Sequence, residues 1–416
     1  MKNKNFILII FLGIFSIPAF AQVNTDSLFQ NAINLAKENK YDQSISEAKV
    51  ALDSDKNRGD ILVFIANVCS WQGNNELSKT YLDKARELSY FSPDYYESFT
   101  NVLLRSGEFV DLLQKCDEAE KNNYPNKEDL LLKRMIARSG LKQYDEGVNL
   151  IEEPENKEFL RSEKIDNLYT DLLLKRNTHI ISAFYSLDLL SHDFAPQQLA
   201  SMGYSFKVGE HTWAFRANYA NRFGMNDVQL ESDFYWMLKN AHYMYFNYGY
   251  ALNASLFPRH RVGLEYYFPL GNKFEGSIGG RYLNFPTSDV LIFTGHLGKY
   301  FGKSWVSVRP FYVYKLQDKT SSLSFIGNYR LYGKNALNYW GVEVGLGNSP
   351  DDIYSVSSGG FNQLVAYRIK LERNFMLNRV SDLHIGLGYA REEFGTITTQ
   401  FRNRLTVELG YKLRLK

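Results

Sequence analysis

In the second half of the chain, charged side chains recur at every second position. From Arg404 to Leu415, Arg404, Glu408 and Lys412 share one face of an extended strand with Thr406, Gly410 and Arg414, while Leu405, Val407, Leu409, Tyr411, Leu413 and Leu415 take the other. The same reading of earlier segments puts Arg216, Glu231, Asp233, Arg261, Glu265, Arg281, Arg309, Glu343, Arg368 and Lys370 on the polar face, together with Asp188, Glu275 and Glu372. Acids and bases are mixed, so such a face can brace a wall through ion pairs. It can equally line a wet lumen that favours hydrated neutral or zwitterionic solutes over ions of one sign. Both alternatives stand at this point.

Acid–base catalysis is a third use of the same residue types. His384 lies on the polar face beside Ser381 and Asp382, but a catalytic set on strands is assembled across neighbours. The sequence carries no nucleophile elbow, P-loop, metal-binding His pair or zinc Cys motif, so no catalytic residue, cofactor site or metal site is assigned and a non-enzymatic role is expected. Basic residues are spread over faces rather than gathered in a patch, which argues against nucleic acid. Cys69 and Cys116 occupy apolar positions of a helical repeat and are expected as buried free thiols, a disulfide being the alternative in an oxidising compartment.

The elements that must position the charged face are strands. With a water-soluble sandwich the apolar face would be core. Here the chain opens with Lys2 and Lys4, an apolar run from Phe6 to Ile17 and the small-x-small site Ala19-Phe20-Ala21, which together read as a signal peptide over residues 1–21. The mean hydropathy of −0.34 and the lack of a later apolar run near the ~20 residues of a spanning helix exclude a membrane helix bundle. Alternating strands in an exported chain point to a transmembrane barrel with its apolar face in lipid. Segments of period two run from 179 to 415 and make about fourteen strands, or twelve if two weak hairpins are miscounted, over a barrel domain at 178–416. Short connections such as Gly209-Glu210, Lys239-Asn240, Gly302-Lys303 and Asn374 to Ser381 alternate with the longer His192 to Gln198, Ser255 to His260 and Ser349 to Asn362. The short set is expected on the periplasmic side. Phe206, Trp213, Trp236, Tyr243, Phe268, Phe274, Tyr300, Phe301, Trp305, Tyr332 and Tyr339 sit beside those turns, where a lipid-interface girdle would place them.

Residues 22–176 form a different object. Through Asn177 they carry 21 Lys and Arg against 28 Asp and Glu, a net charge of −7, whereas residues 178–416 carry +7. Tyr41, Asn75, Phe109 and Tyr144 follow one another at 34, 34 and 35 residues, and Ala51, Ala85 and Ala119 repeat at 34. This period, with paired amphipathic helices and a small residue late in the second, resembles the tetratricopeptide repeat (TPR). Three repeats are regular, the fourth is degenerate, and Lys157 to Arg176 is expected as one capping helix.

The barrel half carries Tyr248-Gly249-Tyr250, the strand Arg261 to Tyr266 and the turn Gly271-Asn272-Lys273-Phe274-Glu275, and on these motifs it resembles the YaiO-type outer-membrane beta-barrel family. The leader is similar in style to those of Bacteroidota. The resemblance implies an outer-membrane location in contact with lipid, with the helical domain in the periplasm. The expected architecture is a TPR-like α-solenoid followed by an antiparallel transmembrane β-barrel. Its expected work is as a conduit, or an accessory, for passage of a solute or glycan such as exopolysaccharide, the solenoid recruiting a periplasmic protein. The alternative is a plugged barrel that anchors a periplasmic scaffold.

Overall fold

The computed structural model describes residues 24–192, 194–317, 319–347, 366–393 and 400–416. The expected signal peptide and the Ser349 to Asn362 loop lie outside the described residues. The chain divides into two compact units, Met1–Asp166 and Asn167–Lys416.

The first unit is built of TPR-like helix pairs: α1 (Thr25–Lys37) with α2 (Tyr41–Ser54), α3 (Gly59–Trp71) with α4 (Asn75–Glu87), α5 (Pro93–Ser106) with α6 (Phe109–Lys121), and α7 (Lys127–Gly140) with α8 (Tyr144–Glu152). Within each pair the chain reverses through one left-handed residue, Asn39, Gly73, Gly107 or Lys142, at φ of 60°, 84°, 72° and 58°. Glycine or asparagine accepts that conformation at least cost. The repeat extends to single bonds: Ser44 Oγ donates to the Ala32 carbonyl at 2.8 Å and Ser78 Oγ to the Ala66 carbonyl at 2.7 Å, 34 residues on. Ala51, Ala85 and Ala119 are fully buried, since only a small side chain lets the helices approach so closely. Cys69 and Cys116 are buried and free. The expected single capping helix is corrected: Pro154, which lacks an N–H to continue α8, opens a 3₁₀ turn over Pro154–Arg161, and a separate α9 spans Glu163–Arg176.

The second unit contains a closed barrel of fourteen strands. They are β1 (His179–Leu190), β2 (Gln197–Val208), β3 (His211–Arg222), β4 (Met225–Met237), β5 (Tyr243–Ala251), β6 (His260–Gly271) and β7 (Phe274–Asn284), then β8 (Asp289–Phe301), β9 (Ser304–Lys315), β10 (Ser321–Tyr332), β11 (Tyr339–Leu346), β12 (Ala366–Asn378), β13 (Ser381–Glu393) and β14 (Phe401–Leu415). Each strand pairs antiparallel with its neighbour in sequence. Pairing of β1 with β14, from His179 opposite Leu415 to Leu190 opposite Arg404, closes the ring and leaves no free edge. Large apolar side chains such as Tyr185, Leu230, Ile278, Tyr312 and Leu387 are exposed on the outside, while buried charges fill the inside. This inversion of a soluble protein is stable only with lipid around the barrel. Among the described residues no helix is long and apolar enough to cross a membrane.

Two expectations about the barrel change. The connection expected over Asn374 to Ser381 is mostly strand, because β12 continues to Asn378 and only Arg379 and Val380 turn. The aromatic girdle divides. Phe206, Trp213, Trp236, Phe268, Phe274 and Phe301 are in phase with the lipid-facing residues of their strands, but Tyr243, Tyr300, Trp305, Tyr332 and Tyr339 are in phase with the buried alternates and belong to the inner wall. Strand propensity favours aromatic rings on either face, so their position at strand ends did not by itself fix the side.

Candidate functional site

The inner wall has three layers. In the middle, cross-strand register brings acids to bases. The Arg216 guanidinium on β3 lies 2.6 Å from Glu231 and 2.9 Å from Asp233 of β4, and Arg261 approaches the other Glu231 oxygen at 3.7 Å. Asp233 also accepts the Tyr245 hydroxyl and the Asn247 amide, each at 2.7 Å. Arg309 reaches across the interior to Glu265 at 2.7 Å, with Arg281 at 3.9 Å from the same carboxylate. Arg368 pairs with Glu343 at 3.2 Å and Lys370 with Glu408 at 3.4 Å, and nearer the longer connections Arg404 lies 3.8 Å from Asp188 and 3.6 Å from Glu392. Lys412 shares the Glu408 face but is exposed towards the end of β14. In a low-dielectric interior an ion is tolerated only beside its counter-ion, and these pairs satisfy that condition.

Glycine makes the room. Gly341 stands opposite Glu372, and a Cβ there would lie 2.5 Å from the Glu372 Cγ; Gly345 stands opposite Arg368, 2.6 Å from its Cγ. These inward glycines let long charged side chains lie flat across the neighbouring strand.

At the end bearing the longer connections the interior is apolar from β7 to β10 and beside the β5–β6 connection, while Asp188, Arg222, Glu392 and Arg404 hold ion pairs at the same end. Leu283, Val290, Ile292, Phe311, Val313 and Ile326, all pointing inward from β7 to β10, form one buried apolar cluster. The β5–β6 connection folds in beside Leu199, Ala220 and Ala251, with Leu256 at 1% and Phe257 at 2% exposure. Its backbone is held by the buried Asp227 carboxylate, which accepts the Leu256 N–H at 2.9 Å and the Phe257 N–H at 3.0 Å. Below this layer a cavity of about 330 Å³ is bordered by Phe184, Arg309, Glu343, Arg368, Lys370 and Glu408.

At the short-turn end the wall opens into a vestibule of about 500 Å³ that reaches the turn residues Ala241 and Lys273. The Tyr243 and Tyr267 rings stack at 4.3 Å and 8°. Trp305 donates its indole N–H to Glu275 at 2.8 Å, and Arg330 lies 5.4 Å over the Trp305 ring and 4.6 Å over Tyr339.

An apolar exterior around an ion-paired, ring-closed interior is the chemistry of an outer-membrane protein. Residues 178–352 match the family model of the YaiO membrane beta barrel domain. No curated protein matches the chain. Among solved structures the chain is similar to the outer membrane protein Omp33 of Acinetobacter baumannii, with 10% identity and a TM-score of 0.37 over 57% of this chain and 98% of that one. It is similar to a bacterial polysaccharide outer membrane secretin, with 9% identity and a TM-score of 0.40 over 58% and 99%. A MamA double mutant (RS-1 ArsTM) is also similar, with 16% identity and a TM-score of 0.34 over 38% and 87%.

Within the barrel His384 does not assemble with Ser381 and Asp382. It faces Glu408 at 3.4 Å, while Asp382 is bonded to Arg414. A different trio does assemble, and the sequence reading did not single it out: Ser277 and His296 are register partners on β7 and β8, with Ser277 Oγ 2.8 Å from His296 Nδ1 and His296 Nε2 3.5 Å from Glu275. Ser277 is nevertheless poorly set up as a nucleophile. Its hydroxyl donates to Glu265 and accepts the His296 backbone N–H, so its proton is directed away from the imidazole. The signal that could have found the trio is alternation itself: Glu275, Ser277 and His296 share the inward phase of one hairpin.

Proposed function

We propose that this protein is a closed outer-membrane anchor that holds its acidic, TPR-like unit in the periplasm for a protein partner. The observation that carries this reading is the buried apolar cluster at the loop end, flanked by the ion pairs of Asp188, Arg222 and Arg404. Leu256, Phe257, Phe311 and Val313 are buried where an open channel would wet them. On the helical unit a groove of about 530 Å³ is bordered by Phe29, Phe64 and the half-exposed Trp71 and by Asp94 and Glu97, with Asp60 paired to Arg58 at its edge. Such a surface suits an extended basic segment. Crosslinked pull-downs from cells that express the full chain, compared with a variant lacking residues 24–162, test the reading. Partners that vanish with the deletion while the barrel still inserts support it; an unchanged set contradicts it.

A second reading keeps the barrel as a conduit or export accessory for a glycan or small solute. The 330 and 500 Å³ cavities inside the ion-paired wall favour it. Passage then requires the β5–β6 connection and the apolar layer to withdraw, and conductance of the purified protein separates the two readings.

A further inference from the structure

We propose that the turn-end vestibule is a binding pocket for a neutral saccharide unit, entered from the short-turn side. A pyranose ring presents an apolar C–H face and a rim of hydroxyls that both donate and accept. The vestibule offers the complement of each. Tyr243 and Tyr267, stacked on each other, and Trp305, with Arg330 over one side of its ring, border the cavity from β5, β6 and β9 and are partly exposed. Arg309, Asn328 and Glu275 border the same space and provide donors and acceptors.

Charge argues for a neutral ligand. Glu275 already accepts the Trp305 indole N–H at 2.8 Å and lies 3.5 Å from His296, and Arg309 is matched by Glu265 at 2.7 Å. Both groups most central to the pocket are therefore already partnered, and the Lys273 ammonium stands at the exposed turn on its rim. What remains for a ligand is ring stacking and neutral hydrogen bonding. The volume of about 500 Å³ falls among small-molecule sites, which run from roughly 300 to 1,000 Å³. The aromatic residues on the inner wall also gain a reason: Trp305 and Tyr243 face away from lipid, where an interface girdle would have no use for them.

The pocket goes beyond the anchor reading and rests on it in one respect only, that closure at the loop end makes it a dead end. The test is saturation-transfer NMR on the full-length protein in detergent with maltohexaose, cellohexaose and chitohexaose as probes, run beside swelling of liposomes that contain the protein. At least one probe is expected to receive saturation at its ring protons with a Kd in the millimolar range or tighter. Tyr243→Ala and Trp305→Ala should each weaken it at least tenfold, Trp305→Phe, which keeps a ring face, by much less, and Lys412→Gln not at all. Heat-modifiability on gels reports whether each variant is still a barrel, and Tyr243→Ala carries the test if the Trp305 variants do not fold. Absence of transfer to all three probes, or undiminished binding in the folded Ala variants, overturns the pocket. Swelling in the sugar, by contrast, contradicts the closed barrel and leaves the binding result to stand on its own.

Discussion

Replacing Asp227 by Ala should release the β5–β6 connection from the barrel mouth. Asp227 sits at the start of β4 with its carboxylate buried, and one oxygen accepts two consecutive backbone N–H groups, those of Leu256 and Phe257. Hydrogen bonds to a charged group contribute about 1.5–3 kcal/mol each, so their loss amounts to roughly 3–6 kcal/mol. Burial of the Leu256 and Phe257 side chains contributes about 1.5–3 kcal/mol each and remains, which leaves the connection weakened rather than free. At about 1.4 kcal/mol per factor of ten, the lower bound is a hundredfold increase in opening. Amide hydrogen exchange followed by mass spectrometry on the peptide covering 252–259 reads this directly. Asp227→Ala should exchange at least a hundredfold faster there, with the β1–β14 seam unchanged. Equal protection in variant and wild type would refute the claim that this carboxylate holds the connection inside.

Other expectations follow from the same geometry. Leu409→Arg puts a charge on the lipid face and should cost about 2–4 kcal/mol near the membrane midplane, whereas Lys412→Gln, on the inner face but exposed, should cost under about 0.5 kcal/mol; urea unfolding in vesicles measures both, and equal losses would mean the faces are exchanged. Gly341→Val crowds Glu372 and should destabilise the barrel by about 1–3 kcal/mol in the same assay, an unchanged midpoint showing that the wall has slack. Burial pushes the Cys116 thiol up from an ordinary value of 9.0 to about 11. The buried neutral thiol therefore contributes stability that is fully present below pH 9 and is lost as pH rises towards 11, so the helical melting temperature should fall over that window and fall less in Cys116→Ala. A parallel fall in both proteins would assign the effect to other groups.

Much of this architecture is written in periodicities. The 34-residue spacing of Tyr41, Asn75 and Phe109 marks the first residues of α2, α4 and α6, and strict alternation from Arg404 to Leu415 marks β14 to within a few residues. Period two also sorts residues by face, which is why Arg216, Glu231 and Asp233 could be grouped before any contact was visible. Alternation does not say which strand lies opposite which residue, so the Arg309 to Glu265 pair, 44 residues apart, needed the register. Nor does it reveal a connection that turns inward: Leu256-Phe257-Pro258 reads as an ordinary loop with two apolar residues, and only the Asp227 carboxylate and the small alternates Ala220 and Ala251 make space for it. The inner aromatic residues were misread for a related reason. A ring beside a turn satisfies a girdle pattern, and its phase relative to Asn247 or Phe311, rather than its distance from the turn, decides its side.

The central claim is that the barrel is closed at its loop end. Planar-bilayer recording of the purified full-length protein tests it most directly. The buried layer formed by Leu256, Phe257, Phe311 and Val313 predicts no sustained unitary current in symmetric salt at moderate voltage. Reproducible, long-lived current steps from the wild-type protein would contradict that closure and return the conduit reading to first place.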